Sequence, residues 1–217
     1  MKASAAATLA LLVAILPACR ILPTANPAAQ GKAEGGQGAA FDPAAKVAGL
    51  WTSKALPYLE RKAGPFPEVA ALAARSPEEA GARYGFRAKE GSSPWTLVVR
   101  LTGSIVAANT ASRAGTIDVD VDGDGKADAT VQIGPALRGT ALRDSLDFVD
   151  FNDFTNQIDF AQFGKAFNQH VDKTLLSALP REGLVGRRVS VLGAYPLDGG
   201  QGMPLVTPAT LALEGGS

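Results

Sequence analysis

The chain has 217 residues, with 21 Lys and Arg, 21 Asp and Glu, a formal net charge of zero and one cysteine. The balanced charge argues against a nucleic-acid-binding protein and against a polybasic membrane-surface protein, because both depend on a surplus of basic residues. The single cysteine excludes an intrachain disulfide, a cysteine-based zinc site and a redox pair.

The chain begins with a segment that has the composition of a secretory leader. Lys2 is the only charged residue before Arg20, and residues 3–16 are almost entirely Ala, Leu, Val and Ile. That run is shorter than the about 20 apolar residues that a bilayer-spanning helix needs. It fits the apolar region of a signal peptide, which predicts export from the cytoplasm.

The leader ends in Leu-Pro-Ala-Cys, which resembles a bacterial lipobox and implies cleavage before Cys19 and acylation of that residue. Two or three acyl chains anchor a protein stably. The alternative is a buried cysteine after an ordinary signal or a short helix. We expect residues 1–18 to be a lipoprotein signal peptide. Residues 19–40, rich in Ala, Gly, Pro and Gln, should be the lipidated Cys19 and a flexible tether. These features predict a lipid-anchored protein on the periplasmic side of the envelope, in either membrane.

Residues 41–94 are predicted to be a helical lead-in. Asp42 suits a helix N-cap and Pro43 suits the first helical position. Pro57 should end or kink the element that follows. The sequence Ser-Pro-Glu-Glu at 76–79 has the pattern of a capping box at the start of a further helix.

From residue 95 the apolar period changes from that of a helix to that of a strand. Predicted strands are 95–107, 116–121, 129–133, 187–195 and 205–213, and a helix is predicted over 156–179. Gly103 should mark a bend or bulge in the long first strand. The class is therefore mainly β with helices (α+β). Residues 95–217 should form a five-stranded OB-like barrel with a long helix between strands 3 and 4. Another small α+β sheet is the alternative.

An acidic turn between the second and third predicted strands has the spacing of a calcium loop. The candidate ligands are Asp120, Asp122, Asp124, the carbonyl of Lys126, and Asp128. Gly125 stands where such a loop turns sharply, but Val131 stands where an EF-hand has its bidentate Glu. A weaker calcium loop and a plain hairpin turn both remain open, since Asp and Gly also favour turns.

A second group of polar residues has the donors and acceptors that a hydroxyl-rich ligand or a protein partner needs. The candidates are Asn109, Arg113, Arg138, Arg143, Asn152, Asp153 and Asn156. The alternative is helix capping and internal pairing, because several of them precede the long helix. Residues 117–159 hold ten Asp, one Lys and two Arg, a local excess that favours a cation or a basic partner.

Catalytic chemistry has no clear sequence signal. His170 is the only histidine, which excludes a multi-His metal site. Because Cys19 is expected to be acylated, a catalytic Cys-His pair is excluded as well. It lies on the predicted helix beside Asp172, where a surface or half-buried structural role is expected. A pair of carboxylates for glycoside hydrolysis is not marked out by any spacing. We therefore expect a protein that is not an enzyme.

Several longer stretches resemble an uncharacterised family of predicted bacterial periplasmic lipoproteins. They are CRILP at 19–23, RAGTIDVDVDGDGKAD at 113–128, QIGP at 132–135, RGTALRD at 138–144 and FNDFTNQI at 151–158. The resemblance implies an OB-like fold. It also implies a gene that lies beside those of an ABC-type sugar importer, as is frequent in the family. The biochemical role of the family is not established, so the resemblance implies none.

Three functional hypotheses follow. The first is a lipid-anchored accessory or binding module associated with sugar uptake, whose partners are the membrane and either importer subunits or a small sugar. The second is a structural or interaction lipoprotein whose acidic turn holds calcium. The third, least favoured, is an envelope carbohydrate hydrolase.

Overall fold

The computed structural model describes residues 41–88, 93–198 and 202–214. The predicted signal peptide, Cys19 and the tether lie outside these residues. Residues 41–217 form one compact unit, in which the predicted lead-in packs against the predicted barrel. In the described ranges, no helix has both the length and the hydropathy required to cross a bilayer.

Helices surround a single sheet. The helices are α1 (Pro43–Leu50), α2 (Leu56–Lys62), α3 (Phe66–Arg75), α4 (Pro77–Tyr84), α5 (Ala141–Asp144) and α6 (Gln157–Thr174). A π-helical turn (Trp51–Ala55) joins α1 to α2, and 3₁₀ turns occupy Phe151–Asp153 and Leu176–Ala178. The strands are β1 (Gly64–Pro65), β2 (Gly85–Phe86), β3 (Thr96–Asn109), β4 (Thr116–Asp120), β5 (Ala129–Gln132), β6 (Arg188–Pro196) and β7 (Leu205–Glu214).

Local sequence explains some of the helix boundaries and not others. The Asp42 carboxylate accepts backbone N–H bonds at the start of α1, as predicted. The capping box predicted at Ser76 is wrong, because α4 begins at Pro77 without a cap bond from the Ser76 side chain. Pro57 does not end its helix. It lies at the start of α2 after the π-helical turn, which accommodates a residue that has no N–H to donate.

Strands β3 to β7 close into a barrel. The order is β3-β4-β5-β7-β6, and β6 pairs back with β3. The β5–β7 pair is parallel, whereas the other neighbours are antiparallel. This arrangement confirms the predicted five-stranded barrel. Its long helix, α6, lies between the third and fourth strands of the barrel, which are β5 and β6. The short strands β1 and β2 add to the sheet beside β3.

The long strand β3 changes partner near its middle. Its first part pairs with β6 up to Ser104, and its second part pairs with β4 from Ser104 onward. A Cβ added at Gly103 would lie 2.1 Å from the carbonyl oxygen of Asp120. Only glycine allows so close an approach of two strands. The register shift itself falls between Ile105 and Ala107, slightly beyond the predicted bend.

Two apolar cores lie on opposite faces of the sheet. The first fills the barrel, where residues such as Leu97, Val131 and Tyr195 meet side chains of α3 and α4. The second lies between the outer face of the barrel and helices α1, α5 and α6, with Phe163 and Phe167 fully buried. Side chains along a strand alternate between the two faces of the sheet. Those that face inward meet α3 and α4 at the end of the barrel, and those that face outward meet α1, α5 and α6 on its side.

Candidate functional site

A cavity of about 1020 Å³ opens at the end of the barrel. Three parts of the chain form its wall: the end of β6 with the start of β7, one face of α3, and the segment Arg138–Asp144, which contains α5. Cavities of this size at the mouth of a small barrel are suited to small-molecule ligands. The described part of the loop between β6 and β7, Leu197–Asp198 and Gly202–Pro204, borders it.

Two buried hydroxyl groups reach this cavity. Thr96 and Tyr195 are each 3% exposed, and both line it. Neither hydroxyl has a hydrogen-bond partner among the described residues, and neither is a fully enclosed atom. Burial raises the pKa of Tyr195 to about 12, so its hydroxyl stays protonated at neutral pH and is able to donate a hydrogen bond. Unpaired donors of this kind are available to a polar ligand.

A buried amide organises the cavity wall. The Oε1 atom of Gln132 accepts the backbone N–H of Arg138 at 2.7 Å. Its Nε2 donates to the Arg138 carbonyl at 3.1 Å and to Thr207 Oγ1 at 2.9 Å. One side chain on β5 therefore fixes the main chain of the Arg138 segment against the sheet.

Arg143 is a half-buried cation held on several sides. Its side chain is 11% exposed and its Nη2 lies 2.6 Å from Asp144 Oδ1. It also donates to the Phe160 carbonyl and to Thr140 Oγ1, and its guanidinium carbon lies 3.8 Å from the Phe160 ring centroid. Arg143 is thus part of the wall, and its donors are largely committed.

Trp95 forms another part of the wall. A Cβ added at Gly81 would lie 2.0 Å from its ring, so the indole packs directly on the backbone of α4. The guanidinium carbon of Arg87 lies 4.5 Å from the Trp95 ring centroid. The indole Nε1 is enclosed and has no hydrogen-bond partner among the described residues.

The acidic turn between β4 and β5 lies apart from the residues that line the cavity. One carboxylate oxygen each from Asp120, Asp122 and Asp124 lies within 4.8 Å of the others, and the predicted ligand Asp128 is not part of this group. Gly123 and Gly125 have φ values of +84° and +85°, as the tight turn requires.

The carboxylates of this turn already accept backbone hydrogen bonds. Asp120 accepts the N–H groups of Gly123 and Gly125, and Asp128 accepts that of Val121. The side chain of Lys126 points to Asp124, with 3.4 Å between Nζ and Oδ2. These bonds are those of a self-supporting turn, and they leave each carboxylate spare acceptor positions.

The structure separates the second group of predicted residues. Arg138 and Arg143 line the cavity. The other five are exposed and are not among its lining residues: Asn109, Arg113, Asn152, Asp153 and Asn156. Asn156 caps α6 by accepting the N–H of Asp159 at 2.9 Å. Asn152 donates its backbone N–H to Asp150 at the 3₁₀ turn.

His170 lies on α6 with its ring centroid 4.7 Å from that of Trp51. It is half-buried, and burial lowers its pKa. It is not among the lining residues of the cavity. A packing role accounts for its position.

Thr96, Gln132 and Tyr195 were not predicted as site residues. All three stand in predicted strands, where Thr, Gln and Tyr are unremarkable residue types. Only the closure of the barrel places them around one cavity, so nothing in the local pattern distinguishes them.

The closed five-stranded barrel with its intervening helix defines an OB-fold protein. The chain is similar to the crystal structure of an OB-fold protein from Thermotoga maritima MSB8, with a TM-score of 0.64 and 18% identity. The match covers 81% of this chain and 99% of that one. At this identity the likeness establishes the fold alone. No curated protein gives a significant match.

The chain belongs to the family described as "Predicted periplasmic lipoprotein (DUF2291)", which matches residues 9–212. The predicted localisation, lipid-anchored on the periplasmic side of the envelope, is therefore confirmed. The matched residues include Cys19, whose acylation stays a prediction.

Proposed function

We propose that this lipoprotein is a binding module that holds a small carbohydrate in the cavity at the end of the barrel. The hydroxyls of Thr96 and Tyr195 carry the proposal, because they open into the cavity and have no hydrogen-bond partner among the described residues, which leaves them free to bind a ligand or water. A sugar supplies donors and acceptors in close succession. The apolar wall around these groups, with Trp95 and Phe86, suits the C–H faces of a sugar ring.

We propose binding rather than catalysis. Glycoside hydrolysis needs two carboxylates placed on either side of the scissile bond. The carboxylates among the described lining residues are Asp144 and Asp198. Asp144 is held by Arg143 and by the Thr140 hydroxyl, so the described part of this wall does not offer two free carboxylates. That arrangement supports the non-enzymatic proposal.

We also propose that the protein serves an ABC-type sugar importer. The support is the genomic position that the motif resemblance implies. A lipid-anchored binding module on the periplasmic side would hold sugar close to a permease in the same membrane or meet the importer's binding protein. The proposed partners are the membrane, through the lipid anchor, and one of the importer subunits.

A thermal-melt panel tests the binding proposal. The protein would start at Arg20, which keeps the compact unit of residues 41–217, and calcium would be constant. A pentose, hexose or disaccharide at 100 times its Kd should add about 2.7 kcal/mol, or about 5–10 °C at this chain length. Loss of one hydrogen bond in Tyr195→Phe should weaken binding by about two- to tenfold.

Tyr58→Phe is the matched control, because Tyr58 interacts with Asp147 and does not line the cavity. It should lower the melting temperature without changing the ligand-induced shift. A flat panel for the wild type would contradict the binding proposal and favour the interaction lipoprotein.

We propose calcium binding by the acidic turn as a second function. The convergence of Asp120, Asp122 and Asp124 favours it. Val131, at the place of the bidentate Glu, is fully buried in β5. We therefore expect the weak affinity of extracellular calcium modules, with a Kd of about 10⁻⁴–10⁻³ M.

Titration calorimetry with calcium chloride tests the second function. The wild type should release or take up heat at millimolar calcium, whereas Asp122→Asn should lose most of that signal. Asparagine keeps the oxygen that accepts the Asp124 N–H, so the turn itself should survive. Asp118→Asn is the control, since Asp118 accepts from Thr130 outside the cluster. A silent wild-type titration would end the calcium proposal.

A further inference from the structure

Three guanidinium groups line the cavity, and two of them are already paired. Arg143 is held by Asp144 at 2.6 Å, and Arg87 contacts Glu78 at 3.0 Å. Arg138 has no ion pair or side-chain hydrogen bond among the described residues. The cavity wall therefore has one uncommitted guanidinium, which presents a planar fork of donors to whatever enters.

The main chain around Arg138 is held from two sides. Gln132 on β5 binds both its N–H and its carbonyl. From α6, Asn168 donates to the Gly139 carbonyl at 2.8 Å and to the Leu137 carbonyl at 3.4 Å. These bonds fix the position of the Arg138 backbone at the cavity wall, from which its exposed side chain extends.

Among the described lining residues, the carboxylate of Asp198, on the loop that follows β6, has no ion pair or hydrogen bond. It is exposed, so solvent and salt screen its charge. A carboxylate in this position accepts hydrogen bonds from sugar hydroxyls. It is not a counter-ion of Arg138, because the two groups form no ion pair within 4.0 Å among the described residues.

We propose that the ligand is an anionic sugar whose carboxylate or phosphate binds the Arg138 guanidinium while its hydroxyls meet Thr96 and Tyr195. The inference rests on the proposed function and adds the charge class of the ligand to it. Arginine binds both kinds of anion through paired N–H donors, and neutralisation of its otherwise unpaired charge would make the anion the preferred ligand.

Titration calorimetry on the chain from Arg20 tests this inference with matched sugars. The neutral ligands are glucose and galactose, and the anionic ligands are glucuronate, galacturonate and glucose 6-phosphate. At least one anionic sugar should bind about tenfold or more tightly than its neutral parent, as a charge-assisted hydrogen bond predicts. The uronates and the phosphate distinguish the two sources of negative charge.

Arg138→Gln should remove most of that preference, by about tenfold or more, and should leave neutral-sugar affinity almost unchanged. Arg138→Lys keeps the charge without the fork and should fall between. Arg113→Gln removes the same charge from an exposed position outside the cavity wall, so it should bind like the wild type.

The possible failures are distinguishable. Neutral sugars that bind as tightly as their anionic counterparts, or an Arg138→Gln protein that keeps the preference, would overturn the anionic inference and leave the binding proposal standing. If no sugar of either kind binds the wild type, the binding proposal fails and the inference fails with it. Should Arg138→Gln not fold, the wild-type comparison of charged and neutral sugars still decides.

Discussion

Phe163→Ala is expected to lower the free energy of unfolding by about 3–5 kcal/mol, the range for a fully buried aromatic residue. Phe163 is 0% exposed in the second core. Its ring centroid lies 5.1 Å from that of Phe154 and 5.1 Å from that of Phe167. Truncation removes these contacts and leaves a cavity between α6 and the barrel. Urea denaturation followed by circular dichroism would measure the loss.

Phe151→Ala provides the comparison for this prediction. Phe151 lies in the same Phe-rich stretch but is 44% exposed, so its truncation should cost less than about 1 kcal/mol. Equal losses in the two variants would show that the second core is not packed as described. The comparison separates burial from residue type, because both variants remove the same side chain.

The second core also supports the cavity. A Cβ added at Gly164, the residue after Phe163, would lie 2.7 Å from Thr140 Cγ2 and 2.8 Å from Arg143 Nη1. Helix α6 is therefore in direct contact with the segment that forms one cavity wall. The packing of the aromatic stripe and the geometry of the candidate site are physically connected through this contact.

The barrel could be predicted from sequence because its signal is local. Alternation of apolar residues places Ile117 and Val119 on one face of β4, and both are fully buried in the barrel. The helical stripe likewise predicts the burial of Phe163 and Phe167. In contrast, β1 and β2 have two residues each and are too short to show a period. They exist because β3 offers free backbone groups beside them.

The candidate site was only partly predictable. Residue type drew attention to Arg138 and Arg143, since guanidinium groups are frequent in ligand sites. Type alone did not show that Arg143 is paired and that Arg138 is not. That difference depends on tertiary contacts, because the Arg143 guanidinium meets the Phe160 carbonyl of α6, whereas the bonds from Gln132 reach only the main chain of Arg138.

Cys19→Ala is expected to move the protein completely from the membrane fraction to the soluble periplasmic fraction. The family is described as a periplasmic lipoprotein and its match includes Cys19, so we expect acylation of this residue to supply the anchor. Two or three acyl chains on one cysteine supply an anchor that a single chain does not. Fractionation of cells that express the full chain, followed by an alkaline wash of the membranes, measures the change.

Pro17→Ala is the matched control for the anchor. It alters the leader within the same four residues but keeps Leu16, Ala18 and Cys19, so the protein should stay in the washed membrane fraction. If Cys19→Ala protein also stays there, acylation of Cys19 does not hold the protein on the membrane. Release of both variants would instead show that the whole cleavage region, rather than the cysteine, determines attachment. Release of Cys19→Ala alone would show that Cys19 holds the protein on the membrane, as the lipobox predicts.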